Sequence, residues 1–295
     1  MIKRIISVLC VAVLVFGICG CSSAPQGNEA DTAVVLQAID NFAACKSFSV
    51  KQITESTEVA TSEGEKFVYD GTTTVEFNVV TEPEFRAMNC KTIVVKAAEG
   101  EVEQSTMSYI VPENGGYTEY FTDGTQWFKL STGDASHLAG INAKAFTSAF
   151  FIDVLKFAKA GEDNLDSGKA VRYEGYLGGD ELMNMLESVG YFYNGISSMS
   201  EKQQAVIKEN LAKDLKPVVV NVWIDEASSY PVRFEVSLTG MLEDLEKSIS
   251  KSLGNKDQGD YAITDYVITM TVEDFNAVGE IVLPDEAHKA TEYVG

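Results

Sequence analysis

Three textures of apolar and polar positions alternate along the chain. The first is a near-continuous apolar run from Ile5 to Ile18, preceded by the basic Lys3 and Arg4 and closed by Ile18-Cys19-Gly20-Cys21. It is shorter than the roughly 20 apolar residues that a bilayer-spanning helix needs, and it has the basic start and small-residue end of an export leader. The second texture repeats at helical spacing. Val34, Val35, Ala38, Ile39 and Phe42 form one stripe and predict a helix over 31–46 with Asp31 as its N-cap. The run AFTSAFFIDVLKFA at 145–158 is apolar around most of a helix circumference and predicts a helix buried on more than one side. Shorter helices are predicted at 180–189, closed by Gly190, and after the Ser200/Gln203 capping box as far as Pro217. Leu242, Leu245, Ile249 and Leu253 predict another over 241–253.

The third texture has a period of two. Phe67, Tyr69, Thr73, Val75, Phe77 and Val79 alternate with polar or small residues around Gly71. The strand-like pattern continues through 85–95 and through Met107, Tyr109 and Val111. Asn114-Gly115-Gly116 and Asp123-Gly124 are turn signals, and the second predicts a hairpin between 117–121 and 126–130. Val171–Leu177 is a further strand. The clearest alternation comes late. Val218, Val220, Val222 and Ile224 lead through Ser228, Ser229 and Tyr230-Pro231 into Val232, Phe234, Val236 and Leu238, whose neighbours are all polar. Tyr266, Ile268, Met270 and Val272 form a closing strand. The leading part therefore reads as one helix followed by an antiparallel meander, with helices in the middle and a β-rich end. No Pro- or Ser-rich linker divides it, so one domain is expected.

Charge narrows the partners. The chain has 23 Lys+Arg against 44 Asp+Glu, a net charge of −21, and loss of Lys3 and Arg4 with the leader makes it more negative still. Such a chain is repelled by nucleic acid and by anionic headgroups, so no nucleic-acid partner is expected. Chemistry is sparse. His137 and His288 stand apart from other ligands at metal spacing, so no metal site is predicted, and no nucleophile-elbow motif accompanies either one. Ser248 to Lys251 matches Ser-x-x-Lys by chance on the polar side of a helix. The acidic stretch at 162–168 fails the calcium-loop spacing and reads as a solvated turn. No enzymatic activity and no cofactor are expected. Cys45 and Cys90 read as small buried hydrophobes, with a disulfide between them left open.

Two resemblances add to this. Ile18-Cys19-Gly20-Cys21 resembles the lipobox of bacterial lipoproteins, which implies cleavage after Gly20 and a diacylglyceryl thioether on Cys21. Residues 1–20 are then a signal peptide and 21–31, with Pro and Gly and no periodicity, a lipidated flexible tether. The remainder, 32–295, is a single domain. This lipid would hold the protein to the extracytoplasmic face of the cell membrane. The segments VVVNVWIDEASSYPVRFEVSLTG at 218–240 and ITMTVEDFNAVGEIVLPDEA at 268–287, with the order of elements, resemble the LolA/LppX-type lipoproteins.

That resemblance implies an α+β fold. A curved antiparallel sheet forms a half-open barrel with helices packed on its concave face. It also implies a hydrophobic cavity between sheet and helices that holds a lipid or other apolar ligand. The candidate lining is Trp127; Phe146, Phe150, Phe151 and Phe157 of the middle run; Met183, Met185 and Leu186; and Tyr191 with Phe192. The alternative is a non-enzymatic surface module, its half-barrel solid, that binds a protein or cell-wall polymer.

Overall fold

The computed structural model describes residues 27–62, 65–97, 100–113, 115–122, 124–132, 155–178, 217–242, 244 and 261–293. One long helix, α1 (Glu29–Ala43), leads into β1 (Ser47–Ser62), β2 (Glu65–Val80), β3 (Arg86–Ala97) and β4 (Gly100–Glu113). β5 (Gly116–Thr122) and β6 (Trp127–Thr132) follow, then β7 (Phe157–Leu165) and β8 (Gly168–Leu177). β9 (Val218–Asp225), β10 (Pro231–Ser237), β11 (Tyr261–Glu273) and β12 (Thr291–Glu292) complete the set. All twelve strands form one open, curved sheet in the order β12-β6-β5-β4-β3-β2-β1-β11-β10-β9-β8-β7. Every pairing is antiparallel except β12 on β6, which is parallel, so the sheet is mixed rather than purely antiparallel.

Alternation sends successive side chains to opposite faces. One face is apolar. Phe48, Val79, Ala87 and Ile110 stand in register across β1 to β4, and Met270, Phe234, Val222 and Tyr173 across β11 to β8. All eight are buried, and α1 lays Val35, Ala38, Ile39 and Phe42 onto the β7–β10 end of this face. Phe42 meets Phe48 edge-on at 4.8 Å. Each Val, Ile, Met and Phe among them contributes about 1.5–3 kcal/mol through burial. We call this the helix face. Apart from a helical turn at 239–242, the predicted helices at 180–189 and 241–253, the one before Pro217 and most of that at 145–158 lie outside the described residues.

The start of α1 differs from the sequence expectation. Its N-cap is Asn28, whose side chain accepts from Asp31 N, and Glu29 to Asp31 are already helical. Asp31 is used elsewhere, since its carboxylate accepts the Lys159 amide at 2.9 Å. Asn28 N donates to Phe157 O, and Phe157 N donates to Thr32 Oγ1. The first turn of α1 thereby covers part of the edge strand β7, which would otherwise expose pairing groups. Gly27 permits this approach, because a Cβ there would collide with the backbone at Lys156.

Phe157 and Ala158, predicted as the end of a helix, begin β7 instead. A short run apolar on all sides suits a buried strand as well as a buried helix, and periodicity alone does not separate them. The acidic stretch is not a loop either. Glu162 to Leu165 belong to β7, and only Asp166 and Ser167 make the turn. There Lys169 and Lys159 both bond Glu162 at 2.9 Å and hold its carboxyl down at about 2.

The opposite face is more polar and is crossed by the C-terminal segment. Asp274 and Asn276 take left-handed φ values of 53° and 58°, which short polar side chains tolerate. Asn276 then accepts Lys46 N and donates its own amide to Ser47 O. Beyond it, Leu283 and Ala287 close a second apolar cluster with Val111, Tyr120, Tyr109 and Trp127.

Candidate functional site

The helix face has two ends. At the β7–β10 end α1 covers it. At the β3–β6 end it carries a cavity of about 580 Å³. Its floor follows from register. Asn89, Ser108, Phe121 and Phe128 form one row across β3, β4, β5 and β6. Glu119 pairs with Leu130 in the row toward the core, and Lys91 with Thr106 in the row away from it. These residues line the cavity.

Its apolar wall is an aromatic corner. Phe121 and Phe128 are directly opposite across β5 and β6 and stack at 5.6 Å with 25° between their planes. Tyr293 closes the corner edge-on, 5.4 Å from Phe121 and 6.1 Å from Phe128. It gets there because the C-terminal segment, after crossing the opposite face, pairs β12 with the outer edge of β6. Tyr293 N donates to Lys129 O at 2.9 Å, and Lys129 bonds Glu292 at 3.3 Å. Aromatic pairs of this kind hold geometry beyond what area burial alone supplies. Leu130 remains 40% exposed at the rim, so apolar surface is available there to an incoming group.

Two of the sequence candidates fall within the described residues, and neither lines the cavity. Trp127 is one residue from Phe128 and so points to the opposite face, where it packs 6.0 Å from Tyr109. Phe157 is fully buried near α1 at the other end of the sheet, with its ring against Gly175, where a Cβ would approach it to 2.8 Å. Phe157 is a core residue, and Trp127 is partly buried against the second cluster. Phe146, Phe150, Phe151, Met183, Met185, Leu186, Tyr191, Phe192 and Cys21 lie outside the described residues. Sequence reasoning missed Phe121, Phe128, Leu130 and Tyr293. The first three were legible as strand residues, and the alternation around Asp123-Gly124 could have placed them on one face.

A second hollow, about 520 Å³, lies on the opposite face beneath the C-terminal segment. It is floored by polar contacts, with Ser49 Oγ donating to Asn78 at 2.7 Å and Asp274 at 3.0 Å. Nearby, burial and a hydrogen bond to Glu113 push the Tyr120 phenol up to about 12, and burial raises Tyr109. Cys45 and Cys90 are both free thiols, Cys45 buried and Cys90 half-buried, and His288 is exposed. Among the described residues no three metal-ligating side chains converge.

Among solved structures the chain is similar to LprF from Mycobacterium bovis, at 12% identity and a TM-score of 0.42, over 88% of this chain and 99% of that one. It is similar to the lipoprotein LppX from Mycobacterium tuberculosis at 11% identity and a TM-score of 0.39, over 86% of this chain and 100% of that one. A putative outer membrane lipoprotein-sorting protein domain from Vibrio parahaemolyticus matches at 8% identity and a TM-score of 0.23, over 84% of this chain and 97% of that one. No protein-family model matches the chain, and neither does any curated protein sequence.

Proposed function

We propose that this protein is a non-enzymatic lipoprotein, anchored through Cys21 on the extracytoplasmic face of the cell membrane, that shelters an acyl chain or similar apolar group in the helix-face cavity. The observation that carries this reading is the cavity itself. Its 580 Å³ lies in the size range of small-ligand sites, and its aromatic corner extends the apolar face of the core without being filled by it. Burial would supply the affinity, at about 0.8 kcal/mol for each methylene taken out of water. The floor is pre-built by β-ladder register, so little ordering is needed on binding.

The test is mass spectrometry of lipids extracted from the full-length protein purified from its own membrane. Wild type is expected to carry an acyl-chain compound in near-stoichiometric amount. Phe128→Ser is expected to lose it while keeping its unfolding free energy within about 1 kcal/mol. Wild-type protein that is consistently empty, and that takes up no fluorescent fatty acid, would sink the proposal.

A further inference from the structure

The cavity is two-sided, and its polar side has a definite chemistry. On β5 and β6 the lining is Phe121, Phe128 and Leu130 with Glu119 and Thr122; on β3 and β4 it is Asn89, Lys91, Thr106 and Ser108 with Met107. Asn89 pairs with Ser108 and Lys91 with Thr106, so the four make a block of two rows on two adjacent strands. Its sides are roughly 4.8 Å between strands and 6.7 Å along them, the footprint of one small headgroup.

Two members of that block lack partners. Lys91 makes no ion pair among the described residues, although acids outnumber bases 44 to 23. Lys51, Lys96 and Lys129, on strands of the same sheet, each hold a glutamate at 3.2–3.4 Å. The Oδ1 atom of Asn89 is buried and has no hydrogen-bond partner. A buried acceptor of this kind is costly until a donor meets it. Lys91 is exposed, so its ammonium is available to an anion, and the bare acceptor calls for a hydroxyl. Glu119, the acid of the lining, lies four residues farther along, roughly 13 Å in the strand direction, and disfavours an anion at that end.

We propose that the cavity selects a single-chain amphiphile whose head is anionic and bears a hydroxyl, the head on Lys91 and Asn89 and the chain on Phe121 and Phe128. This rests on the reading of the cavity as an apolar-ligand site. Orientation follows from the sheet, since the polar and aromatic halves occupy neighbouring strand pairs and cannot exchange roles.

The test is calorimetry on the full chain carrying Cys21→Ser, with oleoyl ligands below their micelle concentrations. Lysophosphatidylglycerol supplies charge and hydroxyl, oleate charge alone, monoacylglycerol hydroxyls alone, and lysophosphatidylcholine a head without net charge. Lysophosphatidylglycerol is expected to bind about tenfold tighter than monoacylglycerol. Lys91→Met is expected to erase that preference, costing lysophosphatidylglycerol about tenfold more than it costs monoacylglycerol, and Lys91→Arg to restore it. Asn89→Ala is expected to erase the advantage of lysophosphatidylglycerol over oleate. Equal affinities in wild type, or a Lys91→Met loss shared by all four ligands, would overturn the inference and leave the cavity reading standing. If wild type binds none of the four, the cavity reading fails as well.

Discussion

Tyr120 is 5% exposed and donates its hydroxyl to both oxygens of Glu113 at 3.0 Å. Burial and that carboxylate hold its proton to about pH 12, against about 10 in an unfolded chain. A raised acid of this kind stabilises the fold in full below the unfolded value. The contribution is then lost as pH rises through the folded one. Tyr176, bonded to Glu174 at 2.7 Å, is raised to about 12 in the same way. The urea midpoint is therefore expected to fall between about pH 10 and 12, and Tyr120→Phe to flatten that fall. A midpoint that drops as steeply in the variant would assign the effect to other groups. The same scale explains what the sequence hid about the site. Trp127 and Phe128 are adjacent and both aromatic, yet the pleat sends one into the C-terminal cluster and the other into the cavity. Only Trp127 is a candidate from the sequence; strand register separates the two, with Phe121 directly opposite Phe128. Tyr293 gave no signal at all, because its place is set by a two-residue parallel pairing between segments far apart in sequence.

The C-terminal segment is the element that joins the two faces. Ile281, Leu283 and Ala287 cover the opposite face, and Tyr293 reaches the helix face. Truncations at two points should separate these roles. Ending the chain after Ala290 removes β12 and Tyr293 and is expected to weaken ligand binding several-fold at a stability cost of about 1 kcal/mol. Ending it after Glu280 also uncovers Val111 and Tyr120 and is expected to cost at least about 3 kcal/mol. Thermal melts and fluorescent fatty-acid titration of both variants would check this; equal binding by the shorter-tailed variant and wild type would remove Tyr293 from the site. Elements were legible where one face is uniformly apolar, as in β9, β10 and β11. The alternation failed for β1. Its sequence SFSVKQITESTEVATS is rich in Ser, Thr and Glu, with Phe48 and Val50 as its buried apolar pair. Yet β1 pairs with both β2 and β11 over most of its length and occupies the middle of the sheet. A central strand can be polar where neither face is fully covered, since its contribution is the ladder rather than the core.

At the scale of the whole molecule, strand order turns one sheet into two functional halves. β1 joins a hairpin-connected meander, β2 to β6, to the β11–β7 half on which α1 packs. The core runs from the second half into β1–β4, and beyond it the same face carries the cavity toward β6. A carrier of the proposed kind would have to stay near its membrane without adhering to it, and charge would serve that end. At −21 the chain is repelled by anionic headgroups, so nothing in its overall electrostatics replaces a covalent anchor. One acyl chain gives only marginal attachment, whereas two or more hold stably. If Cys21 carries such an anchor, wild type is expected in the membrane fraction even after a high-salt wash, and Cys21→Ala in the soluble fraction of the envelope. The salt arm is informative because screening would release a protein held by charge and leave one held by lipid in place. Membrane retention of Cys21→Ala would mean that the apolar run Ile5–Ile18 itself is the anchor, and would move the attachment point from a lipid to the chain.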